Sequence, residues 1–128
     1  MNVPKGLRYT KEHEWIRLEG NEAVVGVTDY AQGELGDVIF VELPAVGSRV
    51  AQMKGFGTID AVKTVSDLYA PVTGEVIAVN SVLKDNPALV NQAPYTEGWM
   101  VRIRVDLPNE IDALLTAEAY AKHLGAHA

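Results

Sequence analysis

Apolar positions in this chain fall in short bursts with a period near two, separated by glycine, proline and Asn/Asp breaks. That is the pattern of many short β-strands. Trp15-Ile16-Arg17-Leu18 is one burst and Ala23 to Val27 another, with Glu19-Gly20-Asn21 between them as a hairpin turn. Asp37 to Leu43, DVIFVEL, is a β-branched run stopped by Pro44, and Val50 opens a further short strand after a turn over Ala45 to Ser48. Gly57 to Ala61 and Val65 to Ala70 both have β character, which puts Val62-Lys63-Thr64 at the tip of a predicted hairpin. Val101 to Val105 is the last strand. Helical signals are few. Thr28 is placed to cap a short helix through Asp29 to Gln32, closed near Gly36. Pro108, with Asn109 as cap, opens a tail in which Ile111, Leu114 and Leu115 recur at helical spacing and should pack on the sheet. Thr116 caps a second short helix ending before Gly125, and Ala126-His127-Ala128 is expected to fray.

Within the β pattern lies an internal echo. Gly36-Asp37-Val38-Ile39-Phe40-Val41 and Gly74-Glu75-Val76-Ile77-Ala78-Val79 share G-[DE]-V-I-x-V at an offset of 38 residues. Each copy is followed by a turn and a valine-containing segment read as a strand, Arg49-Val50-Ala51 and Ala88-Leu89-Val90. The echo suits a compact β structure of two similar halves with Lys63 in the link between them. Chance matching of valine-rich strands remains the competing explanation.

Length and composition narrow the class. The chain has 128 residues, enough for one domain spanning 1–128 with a real core. Eleven basic against 17 acidic residues give a formal net charge of −6, which lacks the basic footprint that sequence-independent nucleic-acid or membrane-surface binding needs. It suits docking onto basic patches of partner proteins. Cysteine is absent, so the fold uses no disulfide and cysteine offers neither a nucleophile nor a metal ligand. MNVPKGLRYTKEHEW has no apolar signal core, and no apolar run approaches the ~20 residues that span a bilayer. A cytoplasmic protein is the expectation.

The usual chemical motifs are missing. His13, His123 and His127 form no metal-ligating pattern; two lie in or beside the tail, and His13 between two glutamates reads as a solvated loop residue. Gly55-Phe56-Gly57 lacks the third glycine and following helix of a dinucleotide site. Serines 48, 66 and 81 have no G-x-S-x-G setting. An enzyme is therefore disfavoured. Met53-Lys54 resembles a biotin acceptor on one side only, because Gly55 follows the lysine. Lys63 is left. At a hairpin tip the side chain swings freely while strands fix its root, yet a lysine there also serves to discourage edge pairing. Spacing alone does not choose.

A resemblance does. YTKEHEW (Tyr9 to Trp15), GVTDYAQGELGDVIFVELPAVG (Gly26 to Gly47), VKTVSDLYAPVTGEVIAVN (Val62 to Asn80) and NPALVNQAPYTEGWM (Asn86 to Met100) occur in order. With these blocks the chain closely resembles the glycine cleavage system H proteins over nearly its whole length. The resemblance implies a mainly β fold, a barrel-sandwich hybrid of the biotinyl/lipoyl carrier type. Its lipoyl-like core would span about 20–105, with short flanking helices and a helical C-terminal segment over about 109–125. It implies lipoate in amide linkage on Lys63. Asp60 stands where the family often has glutamate, three residues before the lysine.

It also implies a shuttle. A pyridoxal-phosphate glycine decarboxylase loads an aminomethyl group, a tetrahydrofolate-dependent aminomethyltransferase removes it, and an FAD- and NAD-dependent dihydrolipoyl dehydrogenase restores the disulfide. A lipoate-attaching enzyme is the fourth partner, and a monomer is expected. Because an aminomethyl thioether hydrolyses readily, the loaded arm is expected to dock in a cleft. There Glu14 and Asp67, and less strongly Glu12, would hold its cationic amine; plain surface acidity is the competing account of these three. Two rival assignments stand beside this one: a lipoyl domain of a 2-oxo acid dehydrogenase complex, and a β interaction module without lipoate. The HEW block, the TDYAQ helix and the helical tail speak against the first.

Overall fold

The computed structural model describes residues 2–127, with side chains placed through residue 125. Strands β1 (Arg8–Tyr9), β2 (Glu14–Glu19) and β3 (Glu22–Val27) lead into helix α1 (Asp29–Leu35). Strands β4 (Val38–Glu42), β5 (Arg49–Val50), β6 (Gly55–Ala61), β7 (Val65–Tyr69) and β8 (Gly74–Val79) follow. Two one-turn helices, α2 (Val82–Asp85) and α3 (Leu89–Gln92), precede β9 (Val101–Val105), a 3-10 helix (Pro108–Ala113) and α4 (Ala117–His127). The strands form a six-stranded sheet in the order β1-β2-β3-β9-β8-β5 and a three-stranded sheet β4-β6-β7, all pairs antiparallel. This is the mainly β, helix-flanked architecture expected.

Two sheets and a helix make three layers. Ile16, Ala23, Val25, Val76 and Ile103 of the large sheet meet Ala70 and Val72 in one buried cluster. Val38, Val41, Ile59 and Leu68 of the small sheet meet Leu35, Leu83, Val90 and Met100 in a second. On the outer face of β1–β3, Tyr9, Trp15 and Val24 pack against Tyr120 and Leu124 of α4. Ala23 to Val27 is therefore covered on both faces, which is why that run is apolar without alternation. Gly26 is required here, because a β-carbon on it would meet the Trp15 ring at 2.8 Å. As expected, Ile111 and Leu114 lie against the main core, but the helical spacing does not carry through: the helix ends at Ala113, Leu114 is extended and Leu115 forms a β-bridge with Tyr9.

The echoed segments carry a matching irregularity. β4 shifts register between Val38 and Phe40, and β8 shifts between Val76 and Ala78, the same place in each copy. A bulge shared at one position supports common geometry in the two halves. The likeness ends after the turns. Ala88-Leu89-Val90, expected as a strand, instead enters a helical turn, with Ala88 at the cap of Leu89–Gln92. Asn86-Pro87 opens that turn, with Val90 N–H donating to the Pro87 carbonyl at 3.1 Å. The three-residue apolar run Ala88-Leu89-Val90 fits either state by pattern alone.

Three terminal details also differ. The cap of the 3-10 helix is Leu107, with Pro108 rather than Asn109 opening the helix, where the missing N–H costs nothing. Thr116 does receive the Ala119 N–H at 3.2 Å, but α4 continues through Gly125 to His127 because Tyr120 and Leu124 anchor it to the sheet. The expected fraying concerns Ala126 and His127, whose side chains lie outside the described residues, and Ala128, which lies outside them altogether.

Candidate functional site

Lys63 stands exposed on the turn joining β6 and β7. The turn is closed by Ala61 N–H to Thr64 O at 2.8 Å and tied to the start of β4 by Val62 N–H to Asp37 O at 2.9 Å. The lysine stem lies over Gly36, the residue that ends α1 at φ +76°. A β-carbon there would sit 3.3 Å from Lys63 Cε, so glycine both permits the backbone turn and leaves room for the stem. Asn91 of α3 locks this corner. Its Oδ1 accepts from Val38 N–H at 2.9 Å, and its Nδ2 donates to Gly36 O at 2.8 Å and Gln32 Oε1 at 3.1 Å.

Beside the hairpin runs a cleft of about 280 Å³ between α1 and the β6–β7 pair. Its floor is apolar: Val27, Ile59 and Leu68. Tyr30, Ala31, Glu34 and Leu35 of α1 form one wall, and Ser66 and Asp67 of β7 the other. Glu12, His13 and Glu14 close the end. All three carboxylates singled out from the sequence thus line one cleft. Lys63 is not in its lining; its stem lies at the Gly36 end of the α1 wall. A larger hollow, about 490 Å³, lies between Lys5 to Arg8 and the start of α4, and none of its lining residues flanks Lys63.

Glu14 is unlike the other two. It is 1% exposed, whereas Asp67 and Glu12 are solvated. Oε1 accepts from Thr10 Oγ1 at 2.5 Å and Oε2 from Tyr69 N–H at 3.2 Å. Thr10 Oγ1 itself accepts from Glu14 N–H at 3.1 Å, so the hydroxyl proton is left for the carboxylate. Burial pushes the Glu14 carboxyl up to about 7; the bonds from Thr10 and Tyr69 pull it down, and the charge on Glu12 adds to the rise. Near neutral pH this group is therefore divided between acid and carboxylate, with its direction fixed by two donors.

Thr10 is a site residue that sequence pattern alone does not single out. Its only signal is a hydroxyl four residues before a carboxyl across a polar turn. Thr10→Val is expected to raise the pH midpoint of the Glu14 carboxyl by roughly one unit and to cost about 1–2 kcal/mol of stability, while Thr10→Ser keeps the parent values. Carboxyl ¹³C NMR titration and thermal unfolding read the two effects.

His13 corrects the sequence reading. It is half-buried at φ +74°, a backbone state uncommon outside glycine, and its Nδ1 lies 2.8 Å from Tyr120 Oη. Its ring packs against Tyr30 at 4.7 Å. Tyr120 Oη also lies 2.8 Å from Thr28 Oγ1, which receives the Ala31 N–H and so caps α1. Burial raises the Tyr120 hydroxyl well above its ordinary value. The chain His13–Tyr120–Thr28 pins the cleft end, α4 and the start of α1 together, a link no periodicity reveals.

Residues 7–127 match the family model described as glycine cleavage H-protein. A glycine cleavage system H protein of Geobacillus kaustophilus (strain HTA426) is 56% identical over 120 residues, covering 94% of each chain. That of Bacillus cereus (strain B4264) is 53% identical over 122 residues, covering 95% of this chain and 96% of that one. The crystal structure of a glycine cleavage system H protein from Mycobacterium marinum superposes with a TM-score of 0.88 at 38% identity, covering 95% of this chain and 98% of that one.

Proposed function

The chain belongs to the glycine cleavage H-protein family, the lipoyl shuttle of the glycine cleavage system, and on that premise we propose that Lys63 is its point of lipoate attachment. The observation that carries the assignment is geometric: the hairpin that presents Lys63 also walls the cleft containing Glu14 and Asp67. The residues fit the group. An exposed amine is open to acylation, and an apolar floor with acidic ends suits an alkyl arm that finishes in an ammonium. The chemistry the lipoyl group supplies when bound is a disulfide that is opened by reductive aminomethylation, unloaded and reoxidised.

The protein's own residues do the holding. Lys63 tethers, and the tether raises the effective concentration of cargo at each partner. Val27, Ile59 and Leu68 exclude water from the docked arm. Glu14, directed by Thr10 and Tyr69 N–H, accepts from the cargo amine, with Asp67 and Glu12 adding charge at the rim. The whole chain, 1–128, acts as one carrier domain and as a monomer, catalysing none of the steps. Its partners are glycine decarboxylase with pyridoxal phosphate, the tetrahydrofolate-dependent aminomethyltransferase, dihydrolipoyl dehydrogenase with FAD and NAD, and a lipoate-attaching enzyme. Among the described residues no helix is long and apolar enough to cross a membrane; cytoplasmic operation without a membrane or nucleic-acid partner is part of the proposal.

Intact-mass measurement after expression with lipoate, followed by peptide mapping, tests the attachment. One lipoyl amide on the peptide containing Lys63 is expected; attachment at Lys54 would refute it. For the cleft, Glu14→Ala/Asp67→Ala is expected to release ammonia and formaldehyde from the loaded arm about tenfold faster than the parent, equivalent to ~1.4 kcal/mol of lost holding. Equal release rates would leave Asp67 as plain surface acidity and Glu14 as a buried structural carboxyl held by Thr10 and Tyr69.

A further inference from the structure

Next to Lys63 the small sheet shows an apolar surface that the arm and its cleft leave unused. Phe40, Asp60 and Val65 pair in one row across β4, β6 and β7. Side chains alternate along a strand, so this row faces away from the fully buried Ile59. Ile39 lies in the β4 bulge beside Phe40, and Val62 adjoins the lysine. Their exposures are 59% for Ile39, 48% for Phe40, 69% for Val62 and 63% for Val65. Four large apolar side chains left open around one functional residue mark an interaction surface. Its edge is acidic: Asp37 precedes β4, Glu42 ends it, and Asp60 lies within the row. No lysine or arginine occurs between Arg17 and Arg49, and Lys63 is the sole one between Lys54 and Lys84.

We propose that Ile39, Phe40, Val62 and Val65 form the docking surface for the lipoate-attaching enzyme, which meets them with an apolar face ringed by lysine or arginine. This rests on the assignment of Lys63 as the attachment site. The choice among partners follows from reach. Enzymes that act on the finished arm do their chemistry at its far, sulfur-bearing end. The attaching enzyme must bring an activated acyl carbonyl to the bare amine, which stands on a stem of about 6 Å. Its surface therefore has to cover the hairpin tip itself, where these four side chains lie. Close approach also draws the stem off Gly36, and contact with the flanking apolar residues offsets that loss. Charge complementarity supplies steering toward the acidic edge, which falls as salt rises.

The test uses the full-length unmodified protein with a purified lipoate-attaching enzyme, lipoate and ATP. Phe40→Ser/Val65→Ser is expected to raise KM for the protein substrate at least tenfold with kcat within twofold, and Asp37→Lys/Glu42→Lys to raise KM further at low salt than at high salt. Val46→Ser/Leu107→Ser, at exposed apolar positions elsewhere, should leave both constants unchanged. Circular dichroism verifies that each variant is folded. Variants forced to full modification should accept glycine-derived cargo within twofold of the parent. A KM within twofold of the parent, or an equal loss in the Val46/Leu107 control, overturns the docking surface. So does a parent that sediments as a dimer which Phe40→Ser/Val65→Ser dissociates, because the surface then belongs to a second copy. A parent that takes no lipoate at Lys63 refutes the attachment assignment instead, so the two failures are distinguishable.

Discussion

Lys63→Arg is expected to remove carrier activity completely while leaving the fold intact. Arginine keeps the positive charge and a similar stem, so it preserves what an ordinary surface cation would contribute. It loses the one property that attachment needs, because the guanidinium stays protonated and does not acylate. The side chain is exposed on a turn held by backbone bonds from Ala61 and Val62, neither of which involves its amine. Stability should change by no more than about 0.5 kcal/mol. Intact mass after incubation with the attaching enzyme should not rise, and glycine-dependent exchange of carbon dioxide with the decarboxylase should fall to background. A variant that still supports exchange would make the protein a β module whose lysine is incidental.

Glu14→Gln should produce the second large effect, and its sign differs between stability and function. The folded carboxyl keeps its proton up to about 7, against an ordinary value of 4.5 when the chain is unfolded. Between those two pH values the folded state binds more protons, so the contribution of this group to stability falls as pH rises through the window. Above it, the ionised buried carboxylate costs up to about 3 kcal/mol. Glutamine carries no such charge and still offers an oxygen to Thr10 or Tyr69. At pH 8 the variant should therefore be the more stable protein, by roughly 1–3 kcal/mol, with little difference at pH 4. Chemical denaturation at the two pH values checks this. In the same variant, release of ammonia from the loaded arm should quicken and lose its dependence on pH between 5 and 8. Greater stability with poorer retention would mark Glu14 as a group kept for work at a cost in stability.

How much of this was legible beforehand depended on the kind of signal. Helix α1 was readable because Thr28 and Gly36 announce its ends by their own chemistry, whatever surrounds them. The β6–β7 hairpin was readable from period and punctuation, and with it the position of Lys63. Leu89–Gln92 was not, since the short apolar run Ala88-Leu89-Val90 satisfies strand and helix alike, and Asn91 belongs there for bonds to Val38 and Gly36 far away in sequence. His13 was misjudged for a related reason. Two flanking glutamates suggest solvent, and only a left-handed backbone at that one residue turns its ring toward Tyr30 and Tyr120. Thr10 escaped notice because its partner lies across a turn whose shape the pattern does not encode.

The corner clamped by Asn91 has one further consequence. A single amide side chain joins the last turn of α1 to the first residue of β4, and Asp37 between them joins the lysine turn. Mooring post and berth are thus parts of one stiff frame. When the tether folds back, only its own rotors lose freedom, because the berth is already shaped. Loosening that frame by Asn91→Ala would be felt as slower homing of the cargo, with the lysine and every carboxylate still in place.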